Sequence, residues 1–427
     1  MVQIPSWPPV PIWRIPSKLD LTDTVSLLKK LGNPQNKLPP TIHVAGTNGK
    51  GSSVAMLKNI FQCAGYKVHS YTSPHLLEFN ERICLNNHPI SDAHLETVLA
   101  EVKQVSEELN IQPTFFEGTT VAAFKAFADM PADILLLETG LGGRLDCTNV
   151  ITSPIATIIT PISMDHIEIL GDTLLEIANE KAGIIKQNVP CIIGPQLPAI
   201  YELLLAKCAE KNAPAFCYEY DFCVEKQDNG FTYLSQKFNL NLPMPNLLGD
   251  HQVTNAATVV AAIMLINEHY KITGPVIAQG LTSINWPGRI QQMPEYKIQE
   301  LTGKDNITIF IDGAHNDSGA MSLANWATNR EGAIYLILGM TRNRNAATFC
   351  SYFKNIIHKG FTVPVESEPL SCNASVLASN ASKSGIVFDH SHSLVQAIKD
   401  ITIEINDKPA TIIITGSLFL VADCLKL

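Results

Sequence analysis

Five short segments of the 427-residue chain carry side chains whose types and spacing could do chemistry. The first is His43-Val44-Ala45-Gly46-Thr47-Asn48-Gly49-Lys50-Gly51-Ser52-Ser53. Its glycines lie between a β-branched strand and a helical pattern, a setting in which backbone N–H groups and a helix N-terminus attract phosphate. Lys50 would neutralise β- and γ-phosphate oxygens. The pattern G-x-x-x-x-G-K-[ST] is broken twice, by Val44 at the first glycine and by Gly51 where a hydroxyl normally holds Mg²⁺. A tight turn with an exposed lysine is the competing reading. In the second segment, the apolar run Ile134-Leu135-Leu136-Leu137 delivers Glu138 at a strand end, as a metal-positioning carboxylate of a nucleotide site requires; an ordinary surface acid is the alternative. The third, Ser163-Met164-Asp165-His166, ends another apolar strand. Imidazole can ligate Mg²⁺, although hard oxygen donors are preferred. In the fourth, Glu180-Lys181-Ala182-Gly183, a buried lysine would have a lowered pKa, and its neutral amine could take up CO₂ as a carbamate; a snorkelling lysine is the alternative. The fifth, Asp312-Gly313-Ala314-His315-Asn316, gathers acid, imidazole and amide on one turn, either for a cleft or as a helix cap.

The elements that must position these groups alternate. Residues 20–33 predict a helix stopping at Gly32-Asn33, TIHVAG a strand, and SSVAMLKNIFQCAGY a helix. KVHSYTS, ADILLLETG, SPIATIITPIS and VPCIIG read as further strands, with helices over 92–109, TTVAAFKAFADM and LLEIANEKAGII. Residues 218–248, with Asp228-Asn229-Gly230, predict a small antiparallel excursion. A helix follows over 251–267, and the pattern breaks at Trp286-Pro287-Gly288-Arg289. Alternation then restarts to the C-terminus. This predicts a P-loop-type, mostly parallel, doubly wound domain over 1–288 and a smaller Rossmann-like α/β domain over 289–427.

Composition removes other classes. The net charge of −9 argues against nucleic acid, whose phosphates need clustered Lys and Arg. The ten cysteines include no C-x-x-C pair, so neither structural zinc nor a disulfide framework is indicated. No apolar run reaches the roughly 20 residues of a membrane span. The proline-interrupted start MVQIPSWPPVPIWRIP does not fit a signal peptide, so a cytoplasmic protein is expected.

HVAGTNGKGS, YTSPHLLEFNERI, TFFEGTTVAAF, LETGLGGRLDCTN, MDHIEILG, NEKAGII, NAAT, WPGR and IDGAHN, spread over nearly the whole chain, together resemble the folylpolyglutamate synthase and dihydrofolate synthase family of Mur-type peptide ligases. The resemblance implies an ATP-dependent ligase in which a carboxylate becomes an acyl phosphate and is attacked by L-glutamate, in a dry cleft between two domains. It puts Thr47, Asn48, Gly49, Lys50, Gly51 and Ser52 on the ATP phosphates, with Asn255, Arg289 and Asp312 in the same site. His315 would face the γ-phosphate or incoming glutamate. Mg²⁺, one or two ions, would be held by Ser73, Glu138 and His166, and Lys181 would be carbamylated; a monovalent cation is also implied. The pterin substrate would lie against Asp20, Leu21 and Thr22, against Thr114, Phe115, Phe116 and Glu117, and against Leu145, Asp146 and Cys147. Cys147 stands where the family commonly has alanine, Ile169 replaces a frequent tryptophan, and LDLTDT is one residue short.

The resemblance implies a monomeric enzyme joining glutamate to dihydropteroate and to reduced folates, with no nucleic-acid or membrane partner. TFFE favours the dihydropteroate activity. A monofunctional folylpolyglutamate synthase and a non-catalytic nucleotide-binding switch are the alternatives. The switch reading fits IDGAHN poorly, since it needs no amino-acid site.

Overall fold

A computed structural model describes Trp7, residues 20–405 and residues 408–427. Apart from Trp7, the proline-rich start read above as no signal peptide lies outside the described residues. The chain forms two compact units. The first runs to Asn246 and resumes over Gln252–Asn285; the second comprises Leu247–His251 and Trp286–Leu427. The border therefore falls after Asn285, three residues before the expected boundary at 288, and Asp250 and His251, the first two residues of the helix Asp250–Tyr270, group with the second unit.

The first unit is built on an eight-stranded sheet: β1 Thr41–Ala45, β2 Val68–Tyr71, β3 Ile83–Leu85, β4 His88–Pro89, β5 Ile134–Glu138, β6 Ala156–Ile159, β7 Cys191–Ile193 and β8 Ala215–Cys217. Their order is β4-β3-β2-β5-β1-β6-β7-β8. From β2 to β8 all pairs are parallel. Parallel strands are covered on both faces, which is why every residue of β1, β5 and β6 is buried and why β5 and β6 read as mostly apolar runs, β1 interposing Thr41 and His43. On one face Leu135 and Leu137 pack under the helices Asp92–Glu108 and Phe115–Asp129, while Ala45, Ile159 and Ile193 pack under Leu174–Ala182 and Pro198–Glu210. Against the other face lies the helix Lys50–Cys63, which contacts β1, β2 and β5.

The expectation of a mostly parallel sheet gains an antiparallel edge. β3 pairs antiparallel with β2 and β4, and β3 turns into β4 through Asn86 and Asn87, both at positive φ. Two asparagines suit such a primed turn. The predicted excursion is a three-stranded antiparallel sheet of β9 Phe222–Gln227, β10 Gly230–Ser235 and β11 Asn239–Leu242.

The second unit is a six-stranded sheet of β12 Gln291–Gln292, β13 Ile307–Ile311, β14 Ala333–Leu338, β15 Lys359–Thr362, β16 Phe388–His390 and β17 Ala410–Thr415, ordered β12-β13-β17-β14-β15-β16. Only β12 runs antiparallel. Phe310, Leu336, Leu338 and Ile413 anchor its core.

Because β1, β5 and β6 are parallel neighbours, the turns after them emerge at one sheet edge, where ligands bind in such folds. Gly46, the first residue past β1, has φ 149°, and a Cβ there would lie 1.9 Å from Thr160 Oγ1. Gly46→Ala is expected to destabilise the first unit by about 2–3 kcal/mol through overpacking. Gly65→Ala, at φ 87° but facing open space, should lose only the ~1 kcal/mol of a left-handed backbone. Urea-unfolding midpoints of the two variants check the contrast.

Candidate active site

The glycine-rich loop is fastened to the end of β6. Thr47 and Asn48 both donate their backbone N–H to the Pro161 carbonyl, at 3.0 and 3.2 Å. Thr47 Oγ1 donates to the Ser163 carbonyl and accepts from the Ser163 N–H, at 3.0 and 3.1 Å. Gly49, at φ 89°, caps the helix that begins at Lys50. Ser52 is 2% exposed and lies one helical position beyond the missing hydroxyl; its Oγ accepts from Gln252 Nε2 at 3.4 Å. Gln252 Oε1 accepts in turn from Asn255 Nδ2 at 3.1 Å, and Asn255 Oδ1 packs against Gly49. The structure thus brings Asn255 to the loop and adds Gln252, which the sequence did not single out because it stands one position before the apolar face of its helix.

Lys50 curls over its own loop, donating from Nζ to the carbonyls of Gly46 and Thr47 at 3.1 and 3.3 Å. Lys181 reaches the same Gly46 carbonyl, at 2.8 Å, from the last turn of the helix Leu174–Ala182. It does not snorkel: the residue is 5% exposed. Burial first, and the nearby Lys50 charge second, bring its pKa down to about 7, against the opposing pull of Asp165 and Asp146. Glu180 does not pair with it; its Oε1 accepts from both Nε and Nη2 of Arg144, at 3.0 and 2.7 Å, while Oε2 is buried without a hydrogen-bond partner. The Arg144 N–H also donates to the Glu180 carbonyl at 2.7 Å, so LGGR is pinned to the turn bearing Lys181.

Glu138, 4% exposed, ends β5, and its Oε2 accepts from the Ser73 N–H at 3.4 Å. A buried carboxylate is the hard oxygen donor that Mg²⁺ prefers, and Ser73, whose N–H meets it, carries a second such oxygen, so the donor chemistry fits that ion. His166 sits in left-handed backbone, its side chain 48% exposed and its Nε2 3.9 Å from Asp165 Oδ1. Among the described residues no cluster of three His, Cys, Asp or Glu side chains forms a metal cage.

The three segments expected around the pterin spend their carboxylates on the chain. Asp20 accepts from the Thr22 N–H at 2.6 Å at the start of a helix, with Leu21 as its N-cap. Thr114 and Glu117 form the capping box of the helix Phe115–Asp129, which begins four residues before the expected TTVAAF. Phe115 and Phe116 are half-buried there. Asp146 is buried and accepts from the Leu141 and Thr148 N–H groups and the Thr148 hydroxyl. With its proton so used, Thr148 accepts from His43 Nε2 at 2.9 Å, which leaves His43 Nδ1 buried and unpartnered. Burial lowers the His43 pKa to about 3, so it stays neutral and hangs the turn Leu145–Cys147 from β1. Cys147 is 7% exposed, and burial pushes its thiol pKa up.

In the second unit, Asp312 accepts from the N–H groups of Ile290 and Ala314 at 2.9 and 2.8 Å. Arg289 Nη1 donates to the Gly288 carbonyl at 3.0 Å. Thus WPGR and IDGAHN, apart in sequence, close on one another. His315 Nδ1 lies 2.8 Å from the Gly313 carbonyl, and Asn316 caps the helix Asp317–Ala327 through the Gly319 N–H. His251, not singled out in the sequence, is drawn in here. Burial lowers its pKa, Asp312 opposes that shift and Arg289 adds to it.

Residues 44–263, which carry the glycine-rich loop, Glu138 and the buried Lys181, match the family "Mur ligase middle domain". Residues 294–427 match the family "Dihydrofolate synthetase, C-terminal domain". The fold and site thus define a Mur-type ligase. The chain is 37% identical over 311 residues to the dihydrofolate synthase/folylpolyglutamate synthase of Bacillus subtilis (strain 168), covering 70% of this chain and 69% of that protein. It is 32% identical over 412 residues to the folylpolyglutamate synthase of Lacticaseibacillus casei, covering 93% and 91%. The structure of Escherichia coli FolC in complex with DHPP and ADP superposes with a TM-score of 0.85 at 27% identity, over 96% of this chain and 93% of that one. This chain belongs to the dihydrofolate synthase/folylpolyglutamate synthase family and is an enzyme of that ligase class. Among the described residues, no helix is long and apolar enough to cross a membrane.

Lys181 sets a pH dependence. Its folded pKa of about 7 lies below the roughly 10.4 of an unfolded lysine. Between those values the unfolded chain binds the extra proton, so stability rises with pH. The penalty of burying Lys181 is full below about pH 7 and gone above about pH 10. In CO₂-free buffer, Lys181→Met should therefore be more stable than the wild type at pH 7, and the difference should shrink by pH 9. Paired urea titrations at the two pH values check it.

Proposed function

We propose that this enzyme joins the amino group of L-glutamate to the carboxylate of dihydropteroate and to the γ-carboxylate of reduced folates, acts as a monomer on these small molecules, and drives each bond with ATP. The observation that carries the reading is the meeting of Lys50 and the buried Lys181 on the Gly46 carbonyl, inside a loop built for phosphate. Membership of the family supports the substrates, and the ADP in the FolC structure supports the nucleotide.

In this reading the N–H groups of Thr47 to Ser52 receive the β- and γ-phosphates, and Lys50 leaves its own carbonyls to neutralise them. Asn255 fixes the loop from the side. A carboxylate oxygen of the acid attacks the γ-phosphorus, the bond to ADP breaks, and an acyl phosphate results. The glutamate nitrogen then attacks the acyl carbon, phosphate leaves with the C–O electrons, and the amine loses a proton. Mg²⁺, when bound by Ser73, Glu138 and His166, supplies positive charge to the phosphoryl oxygens. Asp165, close enough to act on the Lys181 pKa, keeps His166 in place through its backbone N–H at 2.9 Å. In the second unit, Arg289 and Asp312 are assigned to nucleotide recognition and His315 to the γ-phosphate or glutamate. Phe115, Phe116 and the turn Leu145–Cys147 give the pterin an apolar surface, since the acids of those segments are committed to the backbone.

Lys181 serves as the carbamate-bearing residue. Its neutral amine adds CO₂, a proton leaves, and a buried cation becomes an anion, which removes the repulsion from Lys50. With ¹³CO₂ a carbamate resonance is expected in the wild type and absent from Lys181→Met; its absence from the wild type would remove the assignment.

Incubation with ATP, Mg²⁺ and glutamate should release ADP both with 7,8-dihydropteroate and with tetrahydrofolate. Release with tetrahydrofolate alone would sink the first activity. Glu138→Ala should lower turnover by about 10²–10³-fold, as expected on removing a group that stabilises developing charge. Nucleotide affinity, followed by a fluorescent ATP analogue, should stay nearly unchanged.

A further inference from the structure

Arg82 ends the segment YTSPHLLEFNER and is 7% exposed. Its Nε–H donates to His75 Nδ1 at 2.8 Å. The guanidinium carbon lies 5.3 Å from the ring centre of Phe115 and 5.8 Å from that of Phe79. Among the described residues it has no ion pair. The acid beside it in sequence, Glu81, is spent on the N–H groups of Leu76, Leu77 and Glu78, at 2.7, 2.8 and 2.7 Å. Tyr71, Glu138 and Glu81 act on it only through space, and the Tyr71 hydroxyl is turned to Thr120 Oγ1 at 3.0 Å. Burying a guanidinium with acids acting only from a distance and no direct ion pair is expensive, and an anion that pairs with it directly would relieve that cost. With Nε occupied and two aromatic rings beside the cation, the Nη1/Nη2 fork is what remains for that anion. Its position is informative: Phe115 belongs to the surface assigned to the pterin, and Glu138 to the phosphoryl side.

We propose that Arg82 is a further catalytic residue of this reaction, its Nη fork gripping the carboxylate of the pterin-bearing acid that is to be phosphorylated. The inference rests on the function proposed above. One carboxylate oxygen accepts from the fork while the other attacks the γ-phosphorus and the bond to ADP breaks. In the acyl phosphate the gripped oxygen becomes the carbonyl oxygen. The fork then stabilises the charge that develops there as the glutamate nitrogen attacks, until the C–O bond to phosphate breaks and the amine proton passes to water. A planar fork suits a carboxylate where an ammonium does not.

The test is ATP labelled with ¹⁸O in the β,γ-bridge, incubated with Mg²⁺ and 7,8-dihydropteroate but no glutamate, so that scrambling of the label reports acyl-phosphate formation alone. In Arg82→Ala the scrambling rate should fall about 10²-fold and the KM for dihydropteroate should rise at least ~10-fold, the size expected for loss of a charged, transition-state contact. The KM for ATP should stay within about twofold, as for a group that touches only the acid. Arg82→Lys keeps the charge and much of the volume, so it guards against misfolding, and it should shift both quantities the same way. Added guanidinium ion should restore part of the scrambling in Arg82→Ala. Unchanged scrambling and acid KM in either variant overturn the inference. So does a loss shared equally by ATP and acid without guanidinium rescue, which is the mark of a structural arginine. A wild-type enzyme that scrambles with neither dihydropteroate nor tetrahydrofolate overturns the parent function and this inference together.

Discussion

The site turns on a single oxygen. The Gly46 carbonyl accepts from both Lys50 and Lys181, one ammonium belonging to the phosphate loop and the other buried under the sheet edge. Two like charges on one acceptor, one of them desolvated, are stable together only while something offsets them. The offset comes from Asp165 and Asp146, which pull the Lys181 pKa upward without overcoming burial. Phosphate drawing Lys50 away and CO₂ neutralising Lys181 are two chemically different reliefs of the same repulsion.

That oxygen is held in place by strand order. β1 lies between β5 and β6, so the residue after β1 has the Glu138 end on one side and the Thr160–Ser163 segment on the other. The close approach of Thr160 leaves no room for a side chain at Gly46. Thr47 and Asn48, tied to Pro161 and Ser163, then aim the loop. The same edge carries the turn Leu145–Cys147, suspended from His43 by Thr148. Each of these ties uses a polar group that sequence alone would assign to a ligand or leave unexplained.

Long apolar strands and glycine-rich turns made the parallel core, the second α/β unit and the loop at Lys50 legible. β3 and β4 were not, because strands of three and two residues leave no period to read. The helix at Phe115 was expected only from Thr119 onward; its first turn is set by the capping box of Thr114 and Glu117, residues that the family resemblance assigns to the pterin. Lys181 was legible as a lysine on an apolar helix, but its burial depends on a carbonyl 135 residues away, which no local pattern encodes. Arg82 stood in a conspicuous segment and still gave no sign, since whether an arginine meets an acid directly is a property of the packed chain. His251 and Gln252 begin a helix that reads as apolar core, and their polar ends act across long sequence gaps.

The register of β1 also bears on how the protein is made. Its partners are Leu135 to Glu138 on one side and Ala156 to Ile159 on the other, about a hundred residues further along the chain, and contacts so distant in sequence form slowly. During synthesis the strand that leads into the phosphate loop emerges long before either neighbour. It must wait unpaired, and nucleotide cannot be captured by the first hundred residues alone. The nucleotide site is therefore a late product of folding, although its signature stands near the start of the sequence.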